Sequence, residues 1–457
     1  MKAAGIDIGT SSICAVLIDG ETGELLRSKT VENTSRISSS TPWERLQEPD
    51  VILGICRQLL AGITEDCDEV MFIGVTGQMH GILYIDALGR AVSPLYTWQD
   101  ERGNQLYKDK LSYSDYLSEN GGCAAPSGFG LATHFYNQIN ELIDKTALTF
   151  CSIADYVAMS LKGEKNPLLH QSMAASFGFF NLSRNDFDMA ALKAAGVNTK
   201  YLPPVCENEK CYQMKSEKPF ISAALGDNQA SFLGSVGEGG SALINVGTGS
   251  QISVLSDVPK MLEVGECRPF VDGKYLLVGS SLCGGYAYEL LRDFFCKTAQ
   301  LVGIVSYSGD EIYEAMNAAA EQAYRGSAQP LHFDTRFKGT RLEPRVRGKI
   351  EGIDYENFTP GYFALGALEG ICEELYEMYL HFSSSGSKMG QIVGSGNGIR
   401  RNPLLSELFS KRFEAPLTIP MYSEEAAYGS ALFSLYSSGF YADLNELRSK
   451  IKYLMPL

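Results

Sequence analysis

The chain has 457 residues, with 39 Lys plus Arg against 54 Asp plus Glu, a formal net charge of −15 and 45% hydrophobic residues; this length exceeds what one core commonly supports and predicts two or three domains. The acidic balance excludes a general nucleic-acid or anionic-membrane surface, so any phosphate-bearing ligand has to be held by local groups. A mean hydropathy of −0.08, the absence of a membrane-spanning apolar run, and a start, Met1-Lys-Ala-Ala-Gly-Ile-Asp7, without a signal-peptide apolar region predict a cytoplasmic protein that engages neither nucleic acid nor membrane.

Residues 3–31 read as a strand, a Gly-Thr turn, a strand, and a second turn at Asp19-Gly-Glu-Thr-Gly23 feeding a third strand. A helix is expected over 49–63, where Val51, Ile52, Ile55, Leu59 and Leu60 fall near helical spacing. An apolar strand at 70–75, the loop Thr76-Gly-Gln-Met-His-Gly81, a strand at 82–85 and a polar segment at 99–103 follow. The middle, about 108–218, reads as a helical and irregular insertion around the substrate. A short strand at 220–225 ends in Gly226-Asp-Asn-Gln229, and a boundary is expected near 236. The second half opens on another strand, turn and strand at Asn245-Val-Gly-Thr-Gly-Ser250. Its long helix, Pro360 to Phe382, puts Phe363, Ala367, Ile371, Leu375 and Met378 on one face, with Gly366 and Gly370 allowing close approach. A strand at 391–398 runs into a Gly-rich loop, Pro403 opens a helix, 417–419 is a last short strand, and a final helix starts around Glu424. The 11 cysteines are scattered without a Cys-x-x-Cys and are expected to be free thiols; the closest pair, Cys206 and Cys211, has no partner set that would complete a metal site.

A single Gly-Thr hairpin is commonly just a turn. Its recurrence in both halves points to an anion clamp, because glycine lets backbone N–H groups approach an anion while Thr10, Ser11, Ser12, Thr248 and Ser250 add hydroxyl donors. No Gly-x-x-x-x-Gly-Lys-Ser/Thr is present, which excludes the usual P-loop, and Gly394-Ser-Gly396-Asn-Gly398 matches a dinucleotide loop only in part. Two Gly-Thr hairpins and one Gly-rich strand-to-helix loop suit a triphosphate and its base. Asp7, ending a hydrophobic strand beside the first loop, could hold a hydrated Mg²⁺ or simply cap the turn. Asp227 could take the proton of a hydroxyl that attacks phosphorus, or cap a helix. His80 can hydrogen-bond a sugar oxygen, Trp98 can stack on a sugar face or fill a core, and Asp100 and Arg102 are sugar-contacting or loop-bracing residues.

In the order Asp7-Ile-Gly-Thr-Ser-Ser12, Gly77-Gln-Met-His-Gly81, Gly226-Asp227-Asn228, Gly247-Thr-Gly249, and Gly394-Ser-Gly-Asn397 with Asn402 following, these motifs carry a resemblance over essentially the whole chain. The chain resembles the FGGY carbohydrate kinases. The resemblance implies an α/β fold of two actin-like (ribonuclease H-like) domains with mixed sheets flanked by helices, and ATP and sugar in an interdomain cleft that closes on them. Residues 1–236 would form the sugar-binding domain with the first phosphate loop, and 237–457 the ATP-binding domain. It also implies Asp227 as catalytic base, Asp7 as support for Mg²⁺ and phosphates, and Gln78, Met79, His80, Trp98, Asp100, Asp227 and Asn228 toward the sugar. Gly9, Thr10, Ser11, Ser12, Gly247, Thr248, Gly249, Gly394, Ser395, Gly396, Asn397 and Asn402 would face Mg·ATP. The implied reaction is in-line transfer of the γ-phosphoryl group to a primary hydroxyl of a ketose. Gly77 to Gly81 taken with Tyr96-Thr-Trp-Gln-Asp-Glu-Arg102 makes sedoheptulokinases the expected kin, with xylulokinases as neighbours, and a homodimer is the expected assembly. Two rivals from other classes carry less. An ATP-responsive sensor on this fold would be expected to lack the base, and a metal hydrolase would need ligands that the five histidines at 80, 134, 170, 332 and 381 do not supply.

Overall fold

The computed structural model describes residues 1–67, 70–206, 219–237, 239, 242–304, 308–340, 343, 345–382 and 390–454. The backbone divides into two compact units, one of Met1–Glu238 with Arg268–Tyr275 and Glu424–Ile451, the other of Gly239–Cys267, Leu276–Ser423 and Lys452–Leu457. The first unit's main segment thus ends close to the expected boundary. It also takes in 268–275 and 424–451, which sequence order alone assigns to the second half.

In the first unit the strands Lys2–Ile8 and Ser12–Asp19 pair antiparallel, with Leu25–Glu32 beyond them and Val70–Gly77 parallel on the other side of Lys2–Ile8. Continuous burial from Ala3 to Ile6 and from Ile13 to Ile18 marks strands covered on both faces, which is why they read as unbroken apolar runs rather than alternating ones. The helix Pro49–Thr64 packs on this sheet through Ile52, Cys56, Leu59 and Ile63. The helix Glu425–Ser438 lies directly against it: a Cβ at Gly5 would stand 2.0 Å from the Ala427 carbonyl oxygen, and one at Gly74 1.7 Å from that of Ser430. Only glycine permits that approach.

The strand expected over 220–225 is broken in two. Phe220–Ile221 pairs with Phe72 and Ile73, whereas Leu225–Gly226 pairs with Thr76 and Gly77. Four steps on one strand therefore match three on its partner, a bulge that re-aims the chain immediately before Asp227. The helix starting near Glu424 is not the last, since Leu444–Arg448 follows it.

The second unit repeats the same plan. Ala242–Val246 and Ser250–Ser256 form an antiparallel hairpin, Ile392–Ser395 lies parallel to the first of them, and Leu417–Thr418 is next. The long helix spans Pro360–Phe382 as expected, burying Ala367, Ile371 and Leu375. Its glycines do what small residues allow: a Cβ at Gly366 or Gly370 would come within 2.7 and 2.5 Å of Phe333. Among the described residues no helix is long and apolar enough to cross a membrane, and the ten described cysteines are free. Cys211 lies outside the described residues.

Candidate active site

In the first unit the Gly-Thr turn joins the two central strands, and its carbonyls are tied back into the protein. Asn33 Nδ2 donates to the Gly9 carbonyl at 2.9 Å, Gln47 Nε2 to that of Thr10 at 2.9 Å, and the Asn33 backbone N–H to that of Ser11 at 2.9 Å. In a trans peptide the C=O and the following N–H point opposite ways, so three anchored carbonyls orient the N–H groups of Thr10, Ser11 and Ser12 away from these anchors. Ser11 and Ser12 are exposed at the tip.

Asp7, one turn residue upstream, pairs in register with Thr76 on the parallel strand. That strand ends at Gly77, where a Cβ would stand 2.8 Å from the Ile8 carbonyl oxygen, and Gln78 N–H donates to the same oxygen at 2.9 Å. The Gly77 to Gly81 loop is thereby fixed against the phosphate turn. Its His80 adopts φ 73°, unusual for a residue with a side chain. The strain is held in place: His80 N–H donates to Ser176 Oγ at 3.1 Å, Nδ1 lies 2.7 Å from the Ser176 carbonyl oxygen, and the ring stacks on Phe129 at 4.3 Å. A carbonyl only accepts, so Nδ1 carries the proton.

Trp98 is 44% exposed, and its indole N–H donates to Thr10 Oγ1 at 3.0 Å. Asp100 lies beneath it, 1% exposed. Its Oδ1 accepts from Arg102 Nε at 2.6 Å and its Oδ2 from the Arg45 backbone N–H at 3.0 Å, while the Arg102 guanidinium stacks 4.0 Å over Tyr96. Asp100 and Arg102 thus have the loop-bracing geometry, with the Asp100 carboxylate engaged inside the unit rather than at an open surface. Met79 is buried as well, packed under Gly226.

Asp227 is the first residue of the helix Asp227–Ser235, after Gly226 as N-cap. Its own Oδ1 accepts from the Asn228 N–H at 2.6 Å, and the helix N-terminus favours negative charge there. Gln229 Nε2, in the same helix, donates to the Pro269 carbonyl at 2.9 Å, tying in the segment that carries Arg268. Enclosure by protein pushes the Asp227 carboxyl above its ordinary range, and the positive charge of Arg268 and the Asn228 N–H pull it partly back. Asp7 is pushed up to about 7, first by burial and then by the negative charges of Asp227 and Glu424. Arg268 and Glu424 were not legible in the sequence. Neither sits in a motif, and each reaches the site only because its segment folds back into the first unit.

A divalent cation fits this geometry in one particular way. The mutual repulsion felt by Asp7 is what a cation would relieve, yet among the described residues no cluster of three or more His, Cys, Asp or Glu side chains forms a self-sufficient metal cage. Magnesium commonly uses one or two carboxylates, waters and substrate phosphates. The donor set therefore suits an ion that arrives with a nucleotide.

In the second unit a cavity of about 720 Å³ opens beside the other Gly-Thr turn, lined by Gly247, Thr248, Asn397 and Asn402 of the nominated residues. Gly394, Ser395 and Gly396 do not line it; they form the strand end and turn that lead into Asn397. Ser395 Oγ accepts from Asn245 Nδ2 at 2.8 Å, and Gly396, at φ 83°, would push a Cβ to 2.5 Å from the Val246 carbonyl oxygen. Gly249 backs onto the strand end at Ser281, 2.9 Å from a Cβ on it. A polar chain crosses the cavity wall: Tyr288 Oη and Asn402 Nδ2 both donate to Asn317 Oδ1, at 2.9 and 3.0 Å. The ring of Tyr313 lies nearly parallel to that of Tyr288 at 6.0 Å. Tyr288, Tyr313 and Asn317 were missed by the sequence reading. Gly284 and Gly285, at the start of the helix Gly284–Leu301, were missed too, although the pair itself is a visible signal; a Cβ at Gly285 would stand 2.4 Å from the Gly247 carbonyl oxygen. The helix start is therefore pressed against the turn and holds it in place: Gly285 N–H donates to the Gly247 carbonyl at 2.8 Å and Tyr286 N–H to that of Thr248 at 2.9 Å.

Comparison with known proteins bears on this arrangement. The model of the FGGY family of carbohydrate kinases, N-terminal domain, matches residues 3–237, and that of the C-terminal domain matches residues 242–438. A sedoheptulokinase from Mus musculus is 28% identical, covering 94% of this chain and 96% of that protein. A gluconokinase from Bacillus subtilis is 25% identical, covering 95% and 87%. Among solved structures, a ligand-bound xylulose kinase from Lactobacillus acidophilus superposes with a TM-score of 0.83 at 18% identity, covering 99% of this chain and 93% of that one.

Proposed function

Because the chain belongs to the FGGY family of carbohydrate kinases and is an ATP-dependent sugar kinase, we propose that it phosphorylates a primary hydroxyl of a ketose, with sedoheptulose the favoured substrate and Asp227 the general base. The observation that carries the chemistry is the setting of Asp227. It stands at a helix N-terminus after a bulge, its carboxyl raised by enclosure and pulled partly back by Arg268. A base of that kind can take a hydroxyl proton near neutral pH. The preference for a ketose rests on the Gly77-Gln-Met-His-Gly81 loop and on the 28% identity to a sedoheptulokinase.

In this mechanism the N–H groups of the anchored Gly-Thr turns and the hydroxyl of Thr248 neutralise phosphate charge. Phosphoryl transfer has a loose transition state, so positioning and charge neutralisation supply most of the rate. Mg²⁺, brought with the nucleotide and supported by Asp7, would supply charge neutralisation on the phosphate oxygens. His80 would hydrogen-bond a sugar oxygen, with its orientation held by Ser176 and Phe129. The second unit's cavity, with its tyrosine pair and Asn317–Asn402 contact, is the proposed nucleoside site.

Gluconate and xylulose are the competing substrates, favoured by the gluconokinase relative and the xylulose kinase likeness. ADP release measured with Mg·ATP against sedoheptulose, xylulose, ribulose, gluconate and glycerol decides among them. The highest kcat/KM on sedoheptulose supports the proposal, and a tenfold preference for gluconate would replace it.

A further inference from the structure

Three residues of the first unit, Thr10, Gln78 and Gln47, form a hydrogen-bonded ring onto which Trp98 donates, and its polarity has one solution. Trp98 Nε1–H donates to Thr10 Oγ1 at 3.0 Å, and Thr10 Oγ1 donates to Gln78 Oε1 at 3.4 Å. Gln78 Nε2 donates to Gln47 Oε1 at 2.8 Å, and Gln47 Nε2 returns to the Thr10 carbonyl oxygen at 2.9 Å. An indole N–H can only donate and a carbonyl oxygen can only accept. These two fixed ends force the orientation of both amides and of the hydroxyl between them. Gln47 and Gln78 are each 4% exposed, so the two links between amides and turn run through a dry, rigid setting in which hydrogen bonds reinforce one another.

Gln47 lies in the short strand Leu46–Gln47, outside every motif that carries the chemistry. Yet it holds both elements that do. By anchoring the Thr10 carbonyl it fixes the plane of the Thr10–Ser11 peptide, and so the direction of the Ser11 N–H. By anchoring Gln78 it fixes the loop that carries His80. We propose that Gln47 is a positioning residue that locks the first phosphate turn to the sugar loop, so that the phosphate-binding donors are correctly aimed only while the ring of Gln47, Gln78 and Thr10 is closed. The kinetic part of this inference rests on the sugar-kinase reading; the structural part does not.

Gln47→Glu provides the most direct test, being nearly isosteric. It keeps an oxygen for Gln78 Nε2 but sets a second oxygen against the Thr10 carbonyl. Gln47→Met, which removes both bonds at similar volume, is the companion should the new charge unfold the chain. The chain has two tryptophans, so a ¹H–¹⁵N spectrum contains two indole signals, assigned with Trp98→Phe. Opening the ring moves the Trp98 signal and leaves that of Trp43 in place. In steady-state assays the variants lose 10- to 100-fold in kcat with the sugar KM within threefold, and the ratio of sugar-independent ATP hydrolysis to sugar phosphorylation rises at least fivefold. An unmoved Trp98 signal, or kcat within twofold of wild type, overturns the proposal. A loss of activity that only parallels a fall in Tm, with the hydrolysis ratio unchanged, overturns it in favour of a structural role. If the wild type phosphorylates no sugar, the functional reading fails, and the indole spectrum still decides the ring.

Discussion

The thioether of Met79 fills the space against the α-carbon of Gly226: a Cβ on that glycine would stand 2.9 Å from both Sδ and Cε, and 2.4 Å from Gln229 Oε1. The residue before the proposed base is thus fixed by the sugar loop on one side and by its own helix on the other. Gly226→Ala is expected to displace Asp227 rather than unfold the chain. The measurable outcome is a kcat reduced about 10- to 100-fold with a change in Tm of only a few degrees, because displacements of about 1 Å at a reacting group have costs of that size. Near-normal kcat would show that the contact is not needed.

The acidic limb of the pH profile should report the Asp7 and Asp227 carboxyls as a coupled pair. Both are raised, so activity falls as pH drops through the region just below neutrality, well above the ordinary carboxylate range. Arg268→Gln removes the charge that lowers Asp227 and is expected to move the limb of kcat/KM to higher pH, with roughly tenfold lower activity at pH 7. A limb that stays in place would assign Arg268 no part in holding the base ionised.

Asp7→Asn is expected to stabilise the unliganded protein at alkaline pH. A carboxyl raised from 3.8 to about 7 by folding contributes stability that is complete below about 3.8 and is lost as pH rises through about 7. Asparagine, which never ionises, escapes that loss. Unfolding in urea should therefore show the variant about 1–4 kcal/mol more stable than wild type at pH 8 and equal to it near pH 4. The same variant should lose most of its turnover.

Two features of the fold were plain from residues alone. The unbroken apolar runs at Ala3 to Ile6 and Ile13 to Ile18 and the recurrence of Gly-Thr gave both central hairpins, and the glycines of the Pro360–Phe382 helix predicted its close packing. What stayed hidden depends on long-range folding. Arg268 and Glu424 belong to segments that rejoin the first unit from far along the chain, Gln47 carries no motif, and the bulge before Asp227 is a mismatch of register that appears only when both strands are paired. Asp100 read as either sugar-contacting or loop-bracing, because sequence does not reveal that Arg102 and the Arg45 N–H occupy its oxygens.

The pressed contact between Gly285 and the Gly247 carbonyl separates the two proposed binding sites functionally. Gly285→Ala adds a Cβ 2.4 Å from that oxygen and must shift the turn or the helix start. The KM for ATP is expected to rise tenfold or more while the sugar KM stays within about threefold, since the clash lies wholly within the second unit. Equal rises in both would contradict the assignment of this turn to the nucleotide.

The central claim is tested most directly by sugar-dependent ADP release from wild type and Asp227→Asn under saturating Mg·ATP, with nucleotide affinity measured in parallel. The account predicts that the substitution lowers kcat by 10²- to 10⁴-fold while ATP still binds within a fewfold of the wild-type affinity. Turnover within tenfold of wild type would contradict it.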